Sequence, residues 1–439
     1  MKRLLLENLV KWKKSLTKKP LILKGARQVG KTYLIRKFAN EYYEDLIEIN
    51  FERDQEFVEL FKRTKSPKEI LSFLELTFLD KKFDHNTLLF FDEIQACSEA
   101  LTALKFLSEE FNCDIICSGR MLGVAIATTS SFPVGYVETW DLYPMSFIEF
   151  LYALNVNQSI IDTIYQSLND NKPIPEMIHI KMNEFFKDYI IIGEMPEVVA
   201  KYVETKSYRD ALLVQRRIVN DYLNVMIKYA PRADRIKARE WFQSIPLQLA
   251  KENKKFQYKL VKKGGNARYY ESSLDWLKES GLIIKTYRLK SITKPLELNI
   301  EQAIFKVYFF DTGLLISQFD ETTIKELITG NLGVFKGAIY ENIAAIILQN
   351  KQKANYYYKP SQTYEIDFVI YYNGEISVLE VRSGKNTRSK SFSSFINKHN
   401  PKCAFRFSQK NIGPNNENIF YYPLYALEFL LNNEKPILY

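Results

Sequence analysis

Hydrophobic and polar positions change period several times along the chain, and each change predicts an element. Leu4, Leu5, Leu9, Val10 and Trp12 recur at helical spacing, so residues 1–16 read as an amphipathic helix. Leu21–Leu23 is a short apolar run, read as a buried strand. A glycine-bearing stretch follows it, and helical spacing returns over Tyr33–Phe38. Leu46–Phe51 predicts a second strand, and residues 55–80 carry two helical patterns divided by Ser66-Pro67, a helix-start signal. Leu88–Phe91 is unbroken apolar sequence that ends in Asp92 and Glu93. Residues 99–111 are helical again, and Asp114–Cys117 reads as a further buried strand with Ser118, Gly119 and Arg120 at its tip. Strands alternating with helices predict an α/β domain built on a parallel sheet.

Beyond Pro144 and Ser146, which mark a boundary and a new helix start, the pattern turns mostly helical over 146–230. It is broken at Asn169–Pro175 and at Gly193-Glu194-Met195-Pro196, read as a tight packing turn. Ala238–Gln243 and Ile245–Ala250 give two short amphipathic patterns joined at Ser244. Tyr269–Ser280 reads as a third helix closed by Gly281, and Leu282–Leu289 as a strand. Three helices and then a strand pair resemble a winged helix, a module that enters DNA grooves or binds other proteins. The last third predicts a helix over 332–350 and strands at Asn355–Tyr358, Glu365–Ile370 and Ile376–Arg382. The expected organisation is therefore α/β and multidomain: residues 1–145, then a helical and winged-helix region over 146–320, then a third α/β domain over 321–439.

Composition is ordinary for globular protein, with 46% hydrophobic and 26% charged residues among 439. The first residues mimic a signal peptide, but Glu7, Asn8, Lys11, Lys13 and Lys14 interrupt them. No apolar run approaches the roughly 18 residues that a membrane span needs. Cys97, Cys113, Cys117 and Cys403 are too few and scattered for a disulfide framework, and Cys113 and Cys117 lack the second pair a zinc site would need. The expectation is a cytoplasmic protein without a membrane partner. Charge changes the picture more. Residues 201–300 hold 22 Lys and Arg against 10 Asp and Glu, an excess of 12, above the +9 of the whole chain. Such a window suits double-stranded DNA or another polyanion, and a solvated basic face gives the same count.

The chemistry lies in the stretch after the first strand. Gly25-Ala26-Arg27-Gln28-Val29-Gly30-Lys31-Thr32 fills G-x-x-x-x-G-K-[ST], between a strand and a helix as that motif requires. Its glycines permit backbone angles that aim N–H groups at phosphate oxygens, and the helix N-terminus adds partial positive charge. Lys31 is expected on the β- and γ-phosphates of ATP and the Thr32 hydroxyl on Mg²⁺. Asp92, at the end of an apolar strand about sixty residues downstream of the loop, is expected in the Mg²⁺ shell, and Glu93 beside it as general base toward water. The spacing leaves room for one intervening strand, the arrangement of ATPases with an added catalytic glutamate. Ser118 is a candidate sensor beside the γ-phosphate, and Arg120 a candidate phosphate contact or a plain surface residue.

These residues, with Phe91-Asp92-Glu93-Ile94-Gln95, Ser118-Gly119-Arg120-Met121-Leu122-Gly123 and Asp141-Leu142-Tyr143-Pro144-Met145-Ser146-Phe147, resemble prokaryotic AAA-type ATP-binding proteins fused to domain of unknown function 4143. The resemblance runs nearly end to end and implies an ATP hydrolase of the P-loop class. Members carry a small polar residue where Arg120 stands and an arginine where Tyr136 stands, so no arginine finger is assigned.

In the last third, Asp367, Glu380 and Arg382 follow the spacing Asp-x₁₂-Glu-x-Arg, which resembles the PD-(D/E)xK core of restriction endonucleases. The resemblance implies carboxylates on Mg²⁺, with Glu341 from the preceding helix as a further ligand, and a cation two positions past Glu380. Alternation puts Glu380 and Arg382 on one strand face. Arginine replaces the lysine of that motif, and Lys385 is the alternative cation. Three functions remain open, and in one of them the nuclease-like module is itself the working enzyme. The nucleotide cycle drives a DNA-interacting, nuclease-like half, contacted through Lys262, Lys263, Arg268, Lys285 and Arg288, or it sets the state of a switch that binds a protein partner or a second copy through a degenerate nuclease fold.

Overall fold

The computed structural model describes residues 1–119, 132–251, 256–261, 267–329, 335–384, 390–414 and 418–434. The chain divides into two units, Lys2–Met145 with Glu279–Gly281, and Ser146–Lys278 with Leu282–Tyr439.

The first unit is built on a five-stranded sheet of β1 (Leu21–Lys24), β2 (Asp45–Asn50), β3 (Thr87–Asp92), β4 (Asp114–Ser118) and β5 (Glu138–Asp141), ordered β2-β3-β4-β1-β5 and parallel throughout. Every residue of β3 and β4 is buried, as central parallel strands require. The strand carrying the acidic pair, β3, is separated from β1 by β4. The helices Gln55–Arg63 and Ser98–Glu110 pack apolar stripes on the sheet, with Phe51, Phe61 and Phe91 meeting edge to face beside β2 and β3.

In the second unit, helices from Phe147–Ala153 to Tyr208–Tyr229 lead to a seven-stranded mixed sheet. The first of these helices starts in a capping box between Ser146 and Glu149. Its strands are β6 (Ile283–Leu289), β7 (Ile300–Phe309), β8 (Tyr356–Ser361), β9 (Tyr364–Tyr372), β10 (Glu375–Val381), β11 (Cys403–Ser408) and β12 (Ile419–Pro423), ordered β12-β11-β10-β9-β8-β6-β7. The strand pair read as a wing, β6 and β7, forms the edge of this same sheet, because β6 pairs with β8 in parallel through Tyr287–Leu289. The patterns at Ala238–Gln243 and Ile245–Ala250 merge into one helix, Arg235–Leu249, with Pro246 inside it. Burial of Trp241, Phe242, Ile245 and Leu249 outweighs the helix-breaking preference of that proline. Helix Phe335–Asn350 is apolar nearly all round, and its residues 338–348 are buried throughout. No helix among the described residues is long and apolar enough to cross a membrane.

The Gly193-Glu194 turn is a buried packing knot. A Cβ on Gly193 would lie 2.5 Å from Asp311 Oδ1, and one on Gly313 would lie 2.3 Å from Ile192 O. Asp311 accepts from Glu194 N at 2.8 Å and Leu314 N at 2.6 Å, and Glu194 Oε2 accepts from Thr312 N at 2.6 Å.

Candidate functional site

The loop after β1 is shaped by its neighbours as well as by its own glycines. Gly25 has φ +147°, and a Cβ there would stand 2.2 Å from Leu142 O. That carbonyl is brought close because β5 runs beside β1 and Leu142 N donates to Lys24 O at 2.7 Å. Gly30 (φ 92°) opens helix Lys31–Tyr42 and provides no capping side chain, so the helix start is left for an anion. Gln28 is also left-handed, at φ 64°. Lys31 Nζ folds back onto the loop, donating to Gly25 O and Ala26 O at 2.9 Å each. Thr32 is half-buried in the first turn of that helix.

Arg3, which no sequence pattern singled out, braces this loop from the N-terminus. It is buried, and its guanidinium donates to Val29 O at 2.7 Å and Tyr143 O at 2.6 Å. The Asp141–Met145 segment therefore holds the loop twice, through the approach of Leu142 to Gly25 and through the Tyr143 carbonyl.

Asp92 ends β3 beside Asn50, its register partner at the end of β2. Ser118 ends β4 next to Leu23 of β1, which places it at the same edge of the sheet. Asp92 Oδ1 accepts from Ser118 Oγ at 2.6 Å and Glu93 N at 3.1 Å, and Oδ2 accepts from Asn50 Nδ2 at 3.2 Å. Burial raises the Asp92 carboxyl above its ordinary range, the Ser118 hydroxyl opposes that, and Glu93 adds to it. Glu93 itself sits at φ 52°, a left-handed conformation uncommon for a side chain of this type. Its Oε2 accepts from Gln95 Nε2 at 2.6 Å. Ser118 thus touches Asp92, and Asn50 and Gln95 are further polar partners that spacing did not reveal. Asp92 meets only neutral donors in these bonds, an arrangement that fits a Mg²⁺ ion shared with Thr32 and a bound phosphate chain. Arg120 lies outside the described residues. Tyr136 ends a turn from Pro133, and Lys105 Nζ sits 4.9 Å from its ring centroid.

The carboxylates of the last third come together differently. Glu380 on β10 lies opposite Arg406 on β11, and its Oε2 accepts from Arg406 Nε at 2.9 Å. Its Oε1 is bonded by Arg382, on the same face of the strand as alternation requires. Asp367 Oδ2 accepts from Val381 N at 2.9 Å. Glu341 Oε2 accepts from the Tyr308 hydroxyl at 3.1 Å and lies 3.4 Å from Lys306 Nζ. Lys306, fully enclosed on β7, lies 2.6 Å from Glu365 Oε1 and 4.9 Å from the Tyr357 ring centroid. Burial opposes the charge on Lys306, yet Tyr308, Glu341, Glu365 and Asp367 hold its pKa well above the ordinary lysine value. Burial likewise opposes ionisation of Glu365, and Lys306 and Lys359 still pull it down to about 2. Among the described residues no three His, Cys, Asp or Glu side chains form a group able to hold a metal ion, so Glu341, Asp367 and Glu380 are not assembled as one. Lys385 lies outside the described residues.

Of the basic residues expected on DNA phosphates, Lys285 is paired with Asp275 at 2.8 Å and Arg288 with Glu301. Lys262 and Lys263 lie outside the described residues, and the side chain of Arg268 is not described.

A parallel sheet ordered β2-β3-β4-β1-β5, with a glycine loop after β1 and an acidic pair after β3, defines a P-loop ATPase of the AAA type. Family models agree: an AAA domain matches residues 17–151, a domain of unknown function, DUF8612, matches 183–324, and a domain of unknown function, DUF4143, matches 336–427. The chain is an AAA domain at its N-terminus followed by DUF4143 at its C-terminus. No curated protein matches it. Among solved structures, the Walker-type ATPase PABY2304 of Pyrococcus abyssi is similar at 17% identity and a TM-score of 0.44, over 71% of this chain and 94% of that one. Aeropyrum pernix Orc1 in complex with DNA is similar at 9% identity and a TM-score of 0.29, over 74% and 90%. Cdc6p of Pyrobaculum aerophilum is similar at 13% identity and a TM-score of 0.25, over 75% and 94%. At these scores none of the three likenesses carries an inference about this chain.

Proposed function

We propose that this chain is a cytoplasmic, Mg²⁺-dependent ATP hydrolase whose nucleotide cycle controls the state of its second half. Gly25–Lys31 bind the phosphates, Thr32 and Asp92 hold Mg²⁺, Glu93 polarises the attacking water, and Ser118 positions Asp92. Gln95 keeps the Glu93 carboxylate oriented until water and nucleotide are in place. The observation that carries this reading is Lys31, whose ammonium rests on two carbonyls of its own loop at 2.9 Å. A phosphate chain would give that cation stronger, charged acceptors and draw it off the loop.

Within this reading the basic window 201–300 engages double-stranded DNA. A second reading, in which the second half binds a protein partner or another copy of the chain, is favoured by the pairing of Lys285 with Asp275 and of Arg288 with Glu301, which spends two of the expected phosphate contacts inside the fold. ATP turnover by wild type and Glu93→Gln, each with and without duplex DNA, tests both. Loss of general-base action is expected to lower turnover about 10²–10⁴-fold, and a Glu93→Gln variant that still turns over normally would overturn the hydrolase reading. DNA affinity that falls steeply with salt supports the first partner class, and indifference to DNA supports the second.

A further inference from the structure

The PD-(D/E)xK resemblance of Asp367, Glu380 and Arg382 implies a divalent cation held by carboxylates, and the side chains present do not fit one. Such a centre needs carboxylate oxygens open toward the ion. Both Glu380 oxygens take guanidinium donors, from Arg382 and from Arg406 at 2.9 Å. Glu341 is engaged by Tyr308 at 3.1 Å, and Lys306 lies 3.4 Å from it and 2.6 Å from Glu365. The Lys306 ammonium is enclosed in the position from which a cation could neutralise Glu341 and Glu365 together, with Asp367 adding to its electrostatic surroundings. A divalent ion placed there would meet a fixed positive charge with little water to screen it.

We propose that Lys306 is a built-in cation that replaces the metal at this carboxylate cluster, so that the C-terminal half is a metal-independent binding module and not a phosphodiesterase. The inference rests on the nuclease-like reading of residues 341–382. It is independent of the hydrolase reading, whose test is ATP turnover. The lysine comes from β7, outside the helix and strands that carry the motif, and its sheet neighbours Phe305 and Val307 are buried with it.

Mn²⁺ binding to the full chain without nucleotide, read by electron paramagnetic resonance, tests this. The comparison uses wild type, Asp367→Asn, Lys306→Ala and Lys306→Ala/Asp367→Asn, all in an Asp92→Asn background so that the nucleotide site contributes no signal. Wild-type and Asp367→Asn chains are expected to bind Mn²⁺ alike. Lys306→Ala is expected to gain one Mn²⁺ equivalent that wild type lacks, lost again in the double variant. A wild-type site abolished by Asp367→Asn would overturn the proposal, and so would a folded Lys306→Ala chain with no gain. Should Lys306→Ala fail to fold, the wild-type and Asp367→Asn pair still decides, and metal-dependent nicking of duplex DNA by wild type that Asp367→Asn removes would count against the proposal.

Discussion

Asp92 and Glu380 each lie at or near the end of a central strand and are both nearly shielded from water, yet their surroundings differ in charge. Asp92 accepts from a serine hydroxyl, an asparagine amide and a backbone N–H, all neutral. Glu380 accepts from two arginines, and Glu341 and Glu365, on a helix and strand of the same unit, lie against Lys306. The first arrangement gives the carboxyl no hydrogen-bonded cation among the described residues, and burial disfavours its charged form. The second is closed from the start. Sequence patterns that both spell "carboxylate after an apolar strand" thus lead to an open and a sealed electrostatic site, and the donors' charge makes the difference.

The largest effect expected from this contrast is on stability at the sealed cluster. Lys306→Met keeps the volume and removes the charge, leaving Glu341 and Glu365 without their enclosed partner. Breaking such a pair costs about 3–5 kcal/mol, read as a lower midpoint in urea unfolding. Asp92→Asn should behave oppositely. It replaces a buried carboxyl that is bonded only by neutral donors, so stability should hold within about 1 kcal/mol while ATP turnover is lost. Equal destabilisation by the two substitutions would break the comparison. A smaller effect is expected from Arg3→Ala, which strips buried donors from Val29 O and Tyr143 O. A cost of about 1–3 kcal/mol, with weaker ATP binding, would be seen as a lower melting temperature and a raised KM; an unchanged KM would show that the brace does not shape the loop.

How much of this was legible depended on how local the signal was. Gly25–Thr32 and Asp92-Glu93 are contiguous residues whose types and spacing carry their chemistry, and the structure sets them at one edge of the sheet. The partners that tune them are not local. Asn50 and Ser118 come from neighbouring strands, and Arg3 reaches the loop from the chain start, where its charge suggested a leader-like segment. Lys306 was invisible for a similar reason. A lysine in an apolar strand reads as a solvent-facing alternation, whereas β7 is covered on both faces near its end. The two patterns that meet at Ser244 belong to one helix, because tertiary burial of Trp241 and Phe242, which no local pattern carries, holds it continuous through Pro246. The wing reading placed its last helix and the strand Leu282–Leu289 but not the sheet they enter, since nothing local says that β6 will accept β8.

A third buried carboxylate arrangement sharpens the comparison with the smallest effect. Glu194 and Asp311 are both buried, and among the described residues their carboxyls are bonded by backbone N–H groups and by no cation. Glu194 Oε1 has no hydrogen-bond partner among the described residues, an arrangement that suits a protonated carboxyl better than a charged one. Burial raises both groups, Glu194 well above its ordinary value of 4.5 with Asp311 adding to it, and Asp311 to about 6 against the N–H groups of Leu314 and Glu194. The sign follows from linkage. A carboxyl whose folded pKa is raised contributes stability that is fully present below its unfolded value and lost as pH rises through the folded one. Wild type should therefore lose stability progressively above about pH 4, through the Asp311 value near 6 and beyond it as Glu194 ionises. Glu194→Gln keeps an acceptor for Thr312 N and a donor for Asp311 without titrating. Its stability should match wild type at pH 4 and exceed it by roughly 1 kcal/mol at pH 8, measured as unfolding midpoints across that range. Parallel pH profiles for the two chains would mean that the pair holds no proton, and that the knot at Gly193 and Gly313 is held by its backbone hydrogen bonds alone.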